Sequence, residues 1–215
     1  MPVKKVFWED PYLTDLTAKV TGATGDLITL DRTIAYAFSG GQSSDEGTIG
    51  GFPILCAELR DKEIYYTLES NHDLLKGREV QIKIDWAKRY RLMKLHFAAE
   101  LILELVNQNY GNPEKLGANI TDTKARLDFV REGNISETFD LLNQQVQAII
   151  ERDQEIISGF SDRDNEIRFW EIKGFAKVPC CGTHLKRTGE IGNIKLKRNN
   201  RGNGQERIEI TLTDL

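Results

Sequence analysis

The first 85 residues alternate short runs of apolar and β-branched side chains with turn residues. Alternation of this kind, bounded by Gly, Asp and Asn, is typical of short antiparallel strands. We therefore predict a small, β-barrel-like domain or sandwich over residues 1–85. Its six candidate strands are LTAKV, DLITL, TIAYAF, PILCAEL, EIYYTL and REVQIKI.

A glycine-rich segment, GGQSSDEGTIGG at residues 40–51, interrupts these strands. It is longer than a hairpin connection requires, and long loops inside compact domains are often functional. Taken alone, such a segment is more often a flexible surface turn. Its candidate functional residues are Gly40, Gly41, Gln42, Asp45 and Gly47.

The periodicity changes at Trp86, where apolar residues begin to recur every three or four positions. This spacing predicts a core helix from Ala87 to about Asn107, at the start of a second domain over 86–215. A second helix is predicted from Ser136, as N-cap, to about Arg152. The chain is therefore predicted to be α+β, with the core helix packed on an antiparallel sheet. Further strands are predicted at GANIT and ARLDFV, and a terminal hairpin at IGNIKLKRN and ERIEITLTD.

The overall charge gives no sign of nucleic-acid binding, because 29 Lys and Arg face 33 Asp and Glu. Residues 186–207 differ, since seven basic residues there face only two acidic ones. By default such a cluster is a solvated face, but its concentration in an acidic chain favours a polyanionic partner. With the basic residues of the core helix, the candidate phosphate contacts are Lys88, Arg89, Arg91, Lys94, Lys186, Arg187, Lys195, Lys197, Arg198, Arg201 and Arg207.

Cysteine usage and hydropathy predict a reducing, cytoplasmic compartment. Three cysteines, two of them adjacent, do not suit a secreted disulfide framework. The amino terminus MPVKKVFWEDPY lacks the apolar core of a signal peptide, and Glu100 and Glu104 interrupt the core helix. We therefore expect neither export nor contact with a membrane.

Two pairs of side chains have the spacing of metal ligands. His96 and Glu100 share one face of the predicted core helix, and Cys180 and His184 have the same spacing in the segment PCCGTH. A mixed set of His, Cys and carboxylate suits Zn²⁺ better than Mg²⁺ or Ca²⁺, which prefer oxygen ligands. The alternatives are that His96 is a hydrogen-bonded core histidine and that Cys180 and Cys181 are small buried apolar residues.

Four segments, in order, resemble motifs of the alanyl-tRNA editing proteins of the AlaX type, in their medium-length form. These proteins are relatives of the editing domains of alanyl- and threonyl-tRNA synthetases. FSGGQSSDEGTI is similar to the family's glycine-rich loop and DWAKRYRLMKLHFAAELI to its metal-binding helix. KARLDF and VPCCGTHLKRTGEIGNIKL match two further family segments, the second of which contains CxxxH. The resemblance spans nearly the whole chain and implies a β-barrel-like domain followed by a zinc-binding editing domain.

The resemblance also implies a ligand set. In the family, the two histidines of an HxxxH motif and the Cys and His of CxxxH hold zinc. By position these correspond to His96, Cys180 and His184, with Glu100 in place of the second histidine. As a ligand, Glu100 would make the site more negative and any bound water less acidic. Outside the ligand set it could act as a general base, and the sequence leaves both roles open.

The implied activity is hydrolysis of the ester that links serine to tRNA(Ala), with glycine as a second candidate amino acid. Glu100 and Gln42 are then the expected catalytic residues, Zn²⁺ the cofactor, and mischarged tRNA the partner of a monomer or homodimer. Three competing hypotheses are a tRNA-binding module with a degenerate metal site, a deacylase of Ser-tRNA(Thr), and a metallohydrolase unrelated to tRNA.

Overall fold

The computed structural model describes residues 2–213, which form two compact units. The first unit comprises residues 2–39 and 43–90. The second comprises residues 40–42 and 91–213. The glycine-rich loop is therefore shared between the two units, since only its first three residues belong to the second.

The division falls inside one continuous helix, between Tyr90 and Arg91, whereas the sequence predicted a boundary after residue 85. The first turn belongs to the first unit because Arg89 is buried there in an ion pair with Asp45. Hydrophobic periodicity marks where a helix starts, but it does not show which core its first turn joins.

The first unit is built around an antiparallel sheet of seven strands, preceded by a short 3₁₀ helix at Val6–Trp8. Its strands are β1 Lys4–Lys5, β2 Asp15–Thr24, β3 Leu27–Leu30, β4 Arg32–Thr33, β5 Gly47–Ile49, β6 Phe52–Pro53, β7 Cys56–Arg60, β8 Glu63–Thr67 and β9 Glu79–Ile84. The seven are hydrogen-bonded in the order β6-β5-β9-β2-β3-β8-β7, and β1 and β4 form a separate parallel pair. Strand β9 shows the expected alternation, because every second side chain, from Val80 to Ile84, is buried.

One predicted strand, TIAYAF, is wrong beyond Thr33. Beyond Thr33 only an isolated bridge, from Phe38 to Glu58, joins it to a strand, and several of its backbone groups bond to side chains instead. The Tyr36 N–H donates to Asp45 at 2.6 Å, and the carbonyl of Ala35 accepts from the Tyr66 hydroxyl at 2.7 Å. The segment is as apolar and as buried as a strand, so amino-acid composition alone could not distinguish this irregular segment from a strand.

The second unit contains most of a long helix, α1 at Trp86–Tyr110, and a shorter one, α2 at Phe139–Glu151. Its strands are β10 Lys115–Ile120, β11 Ala125–Val130, β12 Ile157–Asp162, β13 Ile167–Ile172, β14 Ala176–Pro179, β15 Ile194–Gly202 and β16 Gln205–Leu212. They form two antiparallel sheets, β10-β11-β16-β15 and β12-β13-β14. The chain is therefore of the α+β class.

Residues that commonly cap helices lie at both ends of helix α1. The carboxylate of Asp85 accepts the Lys88 N–H at 3.0 Å, and Gly111, with φ of 71°, follows the last helical residue. Between Leu92 and Ile102, nearly every side chain is buried, as expected of a core helix.

Three sequence predictions for the second unit have different outcomes. The terminal hairpin is confirmed, because β15 and β16 pair through a turn at Asn203. Ser136 is not the N-cap: Asn134 accepts the Ser136 N–H at 3.0 Å and caps a 3₁₀ turn, Ile135–Thr138, ahead of α2. Strand β12 was not predicted, because only two of its six residues, Ile157 and Phe160, are apolar and it lies at a sheet edge.

Residues 40–42 pair with the edge strand β10. The Ile120 N–H donates to the Gly41 carbonyl at 2.7 Å, and Gln42 forms a parallel bridge with Ile120. Gly41 has φ of 88°, and a Cβ there would lie 2.6 Å from the carbonyl oxygen of Ala118. Glycine is therefore required at this position for the close approach. A further short 3₁₀ helix lies at Thr188–Ile191.

In the described part of the chain, residues 2–213, no helix has the length and apolar character needed to cross a bilayer.

Candidate functional site

The side chains of His96, Cys180 and His184 converge in the second unit. Their ligating atoms all lie within 4.8 Å of one another. The Nε2 atoms of His96 and His184 are each 3.3 Å from Cys180 Sγ. Side chains that are 84 residues apart in the sequence, at positions 96 and 180, therefore form one cluster.

Two segments supply the cluster. His96 lies on the buried face of α1, and Cys180 and His184 lie in the loop after β14. The Cys180 N–H donates to the Arg168 carbonyl at 3.0 Å, which fixes the start of this loop against β13. The ring of Phe97 packs edge-on against His184, with 5.8 Å between the ring centroids.

Glu100 lies one helical turn after His96 and is also close to the cluster. Its Oε1 is 3.7 Å from Cys180 Sγ and 3.9 Å from His96 Nε2. Its Oε2 accepts the indole N–H of Trp170 at 2.9 Å. Glu100 therefore borders the three mutually close donors but is not one of them.

The two imidazoles have different outer contacts. His184 Nδ1 is 2.9 Å from the hydroxyl of Ser158 on β12. His96 Nδ1 is buried and has no hydrogen-bond partner among residues 2–213. Ser158 can therefore fix the ring orientation of His184 from outside the cluster, whereas the His96 ring has its polar contact only on the Nε2 side, with Cys180.

Gly182 brings the loop after β14 close to both His96 and Gln42. A Cβ at this position would lie 2.5 Å from His96 Cε1 and 2.9 Å from Gln42 Oε1. Gln42 is fully buried, donates to the Thr183 hydroxyl at 2.9 Å, and accepts the Thr183 N–H at 3.3 Å. This reciprocal pair places a polar group of the glycine-rich loop beside the histidines.

Burial determines the protonation of the cluster. It lowers the pKa of His96, against an opposing effect of Glu100. Burial also lowers the pKa of His184 well below its usual value, and the charges of His96 and Arg168 add to the effect. Burial, with Glu100 nearby, raises the pKa of the Cys180 thiol. Both imidazoles are therefore neutral at ordinary pH, which is the form that binds metal.

The donor set fits a metal ion such as zinc. A tetrahedral Zn²⁺ with nitrogen at about 2.0–2.1 Å and sulfur at about 2.3 Å separates these donors by roughly 3.6 Å. The two observed separations of 3.3 Å are close to this value. Three protein ligands is the number found in catalytic zinc sites, whereas structural sites usually have four. The cluster can therefore hold a metal once the Cys180 thiol loses its proton.

The structure corrects one predicted phosphate contact. Arg89 is 1% exposed; its guanidinium pairs with Asp45, with 2.7 Å between Nε and Oδ1, and donates to the Ile34 carbonyl. A side chain enclosed in this way cannot contact a phosphate group. Asp45, predicted as a functional loop residue, is likewise buried in this pair.

Gly47, another predicted loop residue, is required by close packing, because a Cβ there would lie 2.0 Å from the Lys83 carbonyl oxygen.

Several other basic side chains are paired within their own unit. Arg198 forms a bidentate pair with Glu206 at 2.6 Å, and Arg187 pairs with Asp153 at 2.6 Å. Arg207 is paired with Asp128, Lys88 with Glu46, and Arg91 donates to the Asp122 carbonyl. The exposed members of the predicted set are Lys186, Arg187, Lys195, Lys197 and Arg201.

Three residues at the site were not predicted from the sequence. Ser158 lies in a polar segment without any pattern. Thr183 lies inside the CxxxH segment, where only the cysteine and histidine attract notice. Trp170 had a usable signal, because alternation in IRFWEI puts it on the buried side of β13, and a buried indole N–H needs an acceptor.

Comparison with known proteins agrees with the sequence motifs. The family model "Threonyl and Alanyl tRNA synthetase second additional domain" matches residues 167–209. The chain is 32% identical over 222 residues to the alanyl-tRNA editing protein AlaX-M of Pyrococcus horikoshii, covering 97% of both chains. It is 29% identical over 245 residues to AlaX-M of Methanosarcina barkeri, covering 97% of this chain and 98% of the relative.

A longer protein is also similar. The alanine–tRNA ligase of Ignicoccus hospitalis is 29% identical over 219 residues, which cover 91% of this chain but 24% of the ligase. The resemblance predicted from the motifs is confirmed by similarity over almost the full length. The chain belongs to the AlaX-M family of alanyl-tRNA editing proteins.

Proposed function

We propose that this chain removes serine from mischarged tRNA(Ala), using Zn²⁺ held by His96, Cys180 and His184. The observation that supports this most directly is the convergence of these three side chains within 4.8 Å. The family supplies the reaction class, since an alanyl-tRNA editing protein is a hydrolase that deacylates mischarged tRNA. The bond cleaved is the ester between the amino acid and the terminal ribose.

Glu100 is the residue we assign as general base. Its Oε1 faces Cys180 and His96, and its other oxygen is bonded to Trp170. Zn²⁺ bound to the three ligands would supply a Lewis acid that polarises and orients the reacting groups. General base catalysis contributes about 10²–10⁴-fold to such reactions.

Hydrolysis of the ester exchanges one carbon–oxygen bond for another and moves one proton. Glu100 takes a proton from the attacking water as the water oxygen adds to the ester carbonyl carbon. The bond between that carbon and the ribose oxygen then breaks, and the proton passes to the ribose oxygen. The products are free serine and tRNA with an intact terminal hydroxyl.

Selection of serine over alanine needs a polar test. Serine is larger than alanine, so a pocket that admits serine by size also admits alanine. A site built to bond a hydroxyl can reject a substrate that lacks one by about 10⁴-fold or more. We assign this test to the metal ion that His96, Cys180 and His184 would hold. Gln42 and Thr183 are 0% and 1% exposed and hydrogen-bonded to each other, so they shape the site beside His96 but cannot contact the substrate hydroxyl.

Binding of the tRNA is assigned to the exposed basic side chains of the second unit. Lys195 and Lys197 lie on the same side of β15, two residues apart, and Arg201 follows near its end. Phosphate contacts of this type confer affinity rather than sequence recognition. Substituting them should weaken binding and leave kcat nearly unchanged.

Deacylation assays test the proposal. Purified protein is mixed with Ser-tRNA(Ala), Gly-tRNA(Ala), Ser-tRNA(Thr) and correctly charged Ala-tRNA(Ala), and release of each amino acid is followed. We expect fast release of serine from tRNA(Ala), slow release of alanine, and loss of activity in Cys180→Ala. Equal, background-level hydrolysis of all four substrates would contradict the proposal.

The presence of Glu100 at the position of a family histidine supports one competing function. If this substitution has inactivated the site, the protein binds tRNA without deacylating it. A gel-shift with Ser-tRNA(Ala), run beside the assay, separates the two. Retarded tRNA that keeps its serine, with turnover gained in Glu100→His, would favour the binding module.

A further inference from the structure

Trp170 and Glu100 form a partly buried hydrogen bond at the edge of the cluster. The indole N–H donates to Glu100 Oε2 at 2.9 Å. Trp170 is 0% exposed, and the Glu100 side chain is 18% exposed. A hydrogen bond to a charged group in such surroundings is strong, and the indole nitrogen can only donate.

The ring of Trp170 is fixed by its neighbours. Phe97 packs edge-on against it at 5.2 Å between centroids, and Phe175 is stacked on it at 6.4 Å. Trp170 also lies on the buried side of β13 between two sheet neighbours. Because the ring cannot swing, its N–H points in one direction, and this direction determines where the carboxylate of Glu100 sits.

The consequence for Glu100 is that its two oxygens have different surroundings. Oε2 is bonded to Trp170, and Oε1 faces Cys180 Sγ at 3.7 Å and His96 Nε2 at 3.9 Å. A flexible carboxylate beside a divalent cation would be drawn into its coordination, because zinc readily accepts Asp and Glu oxygens. Glu100 does not belong to the group of donors within 4.8 Å of one another, so its carboxylate would have to move towards them, and the indole bond to Oε2 would have to stretch for it to do so.

We infer that Trp170 is a positioning residue that holds Glu100 beside the three ligands His96, Cys180 and His184 and outside the metal's coordination. This inference rests on the proposed function, in which Glu100 acts as the base. It assigns Trp170 a role beyond core packing. If Trp170 only packed the core, replacing it would lower stability and metal binding together. If Trp170 positions Glu100, replacing it would lower turnover without lowering metal binding.

The first test uses Glu100→Ala in the cobalt-substituted protein. If Glu100 is outside the coordination, its removal leaves the visible absorption bands of bound Co²⁺ unchanged while kcat falls about 10²-fold. A changed spectrum in Glu100→Ala would identify Glu100 as a ligand and overturn the inference. This measurement does not depend on how well any Trp170 variant folds.

The second test uses Trp170→Phe, which keeps an aromatic ring and removes the N–H donor. The released carboxylate can then reach the metal, so we expect an altered Co²⁺ spectrum, metal affinity equal to or above wild type, and kcat about 10-fold lower with KM unchanged. Trp86→Phe is the matched control, since Trp86 is stacked on Tyr90 in the first unit.

A double variant identifies the pathway of the effect. In the Glu100→Ala background, Trp170→Phe should cause no further loss of kcat, because no carboxylate remains to be held. An equal loss in both backgrounds, or weaker metal binding in Trp170→Phe alone, would overturn the inference. If the wild type lacks deacylase activity, the proposed function fails, but the two Co²⁺ spectra still decide whether Trp170 controls the position of Glu100.

Discussion

The hydroxyl of Ser158 lies 2.9 Å from Nδ1 of His184, so that the other ring nitrogen of His184 faces the Cys180 thiol. A hydrogen bond of this kind fixes which imidazole nitrogen is available to a metal and holds the ring in place. Ser158 therefore has a measurable role although it is not itself a ligand.

The first prediction concerns this bond. Ser158→Ala should weaken zinc binding about 10–100-fold, because His184 loses the contact that orients its ring. Competition with a chromogenic chelator measures the affinity. Ser161→Ala is the control, since Ser161 lies on the same strand, is exposed like Ser158, and its hydroxyl donates to the Ile167 carbonyl instead of contacting a histidine. Equal affinities in the two variants would contradict the prediction.

Adjacent cysteines should behave differently towards the metal. Cys180→Ala should abolish stoichiometric zinc, because it removes the only thiolate of the three-ligand group. Cys181→Ala should retain the metal, since Cys181 is exposed and its thiol faces the Glu166 carbonyl at 3.6 Å. Elemental analysis of both purified variants measures the difference. Full zinc content in Cys180→Ala would exclude this residue as a ligand.

Gly182→Ala tests the close packing of the loop on His96. A methyl group would lie 2.5 Å from His96 Cε1, so either the ring or the loop must move. We expect a loss of about 1–3 kcal/mol of stability from overpacking and a lower metal affinity. Gly117→Ala is the control, because a methyl group there would meet no described residue within 4 Å apart from its chain neighbours, and the φ of Gly117 lies outside the left-handed region. Urea unfolding and metal titration provide the two readouts.

Removing Arg89 should destabilise the first unit. Arg89→Met keeps much of the volume but leaves the Asp45 carboxylate buried without its partner, which costs about 3–5 kcal/mol. Arg60→Met should cost less than about 1 kcal/mol, because Arg60 forms an exposed pair with Glu58. Chemical unfolding of both variants checks the difference. Similar, small losses in both would show that the buried pair contributes little.

Salt dependence of tRNA binding separates phosphate contacts from structural cations. The double variant Lys195→Ala with Lys197→Ala should make the fall of log K with log salt less steep. The magnitude of the slope should decrease by about 2, one for each lost phosphate contact. Substituting Lys19, an exposed lysine of the first unit, should leave the slope unchanged. Binding is measured by gel-shift or fluorescence anisotropy over a series of salt concentrations. An unaltered slope in the double variant would remove these lysines from the interface.

Sequence patterns predicted most of the elements because long apolar periodicities dominate local structure. Helix α1 and the terminal hairpin follow directly from such periodicity and from turn residues. TIAYAF was misassigned because some of its backbone groups bond to side chains outside the segment, such as those of Asp45 and Tyr66, which local patterns do not contain. Strand β12 was missed for the opposite reason, as a polar edge strand has little apolar signal.

The same limit applies to the candidate site. Spacing alone indicated His96, Glu100, Cys180 and His184, because i and i+4 pairs can be recognised in any sequence. Ser158 and the Gln42–Thr183 pair depend on contacts between segments that only the folded chain brings together. The phosphate contact predicted for Arg89 was wrong for a similar reason. A cation in a basic stretch can be buried when a carboxylate elsewhere in the chain, here that of Asp45, pairs with it.

The bond between the Ile120 N–H and the Gly41 carbonyl has a consequence for the integrity of the second unit. Strand β10 is the edge of its sheet, and the tripeptide 40–42 covers the end of that edge. A fragment that began at residue 91 would lack this cover, and uncovered edges invite pairing between copies. We therefore expect a fragment that lacks residues 40–42 to aggregate more readily than one that retains them.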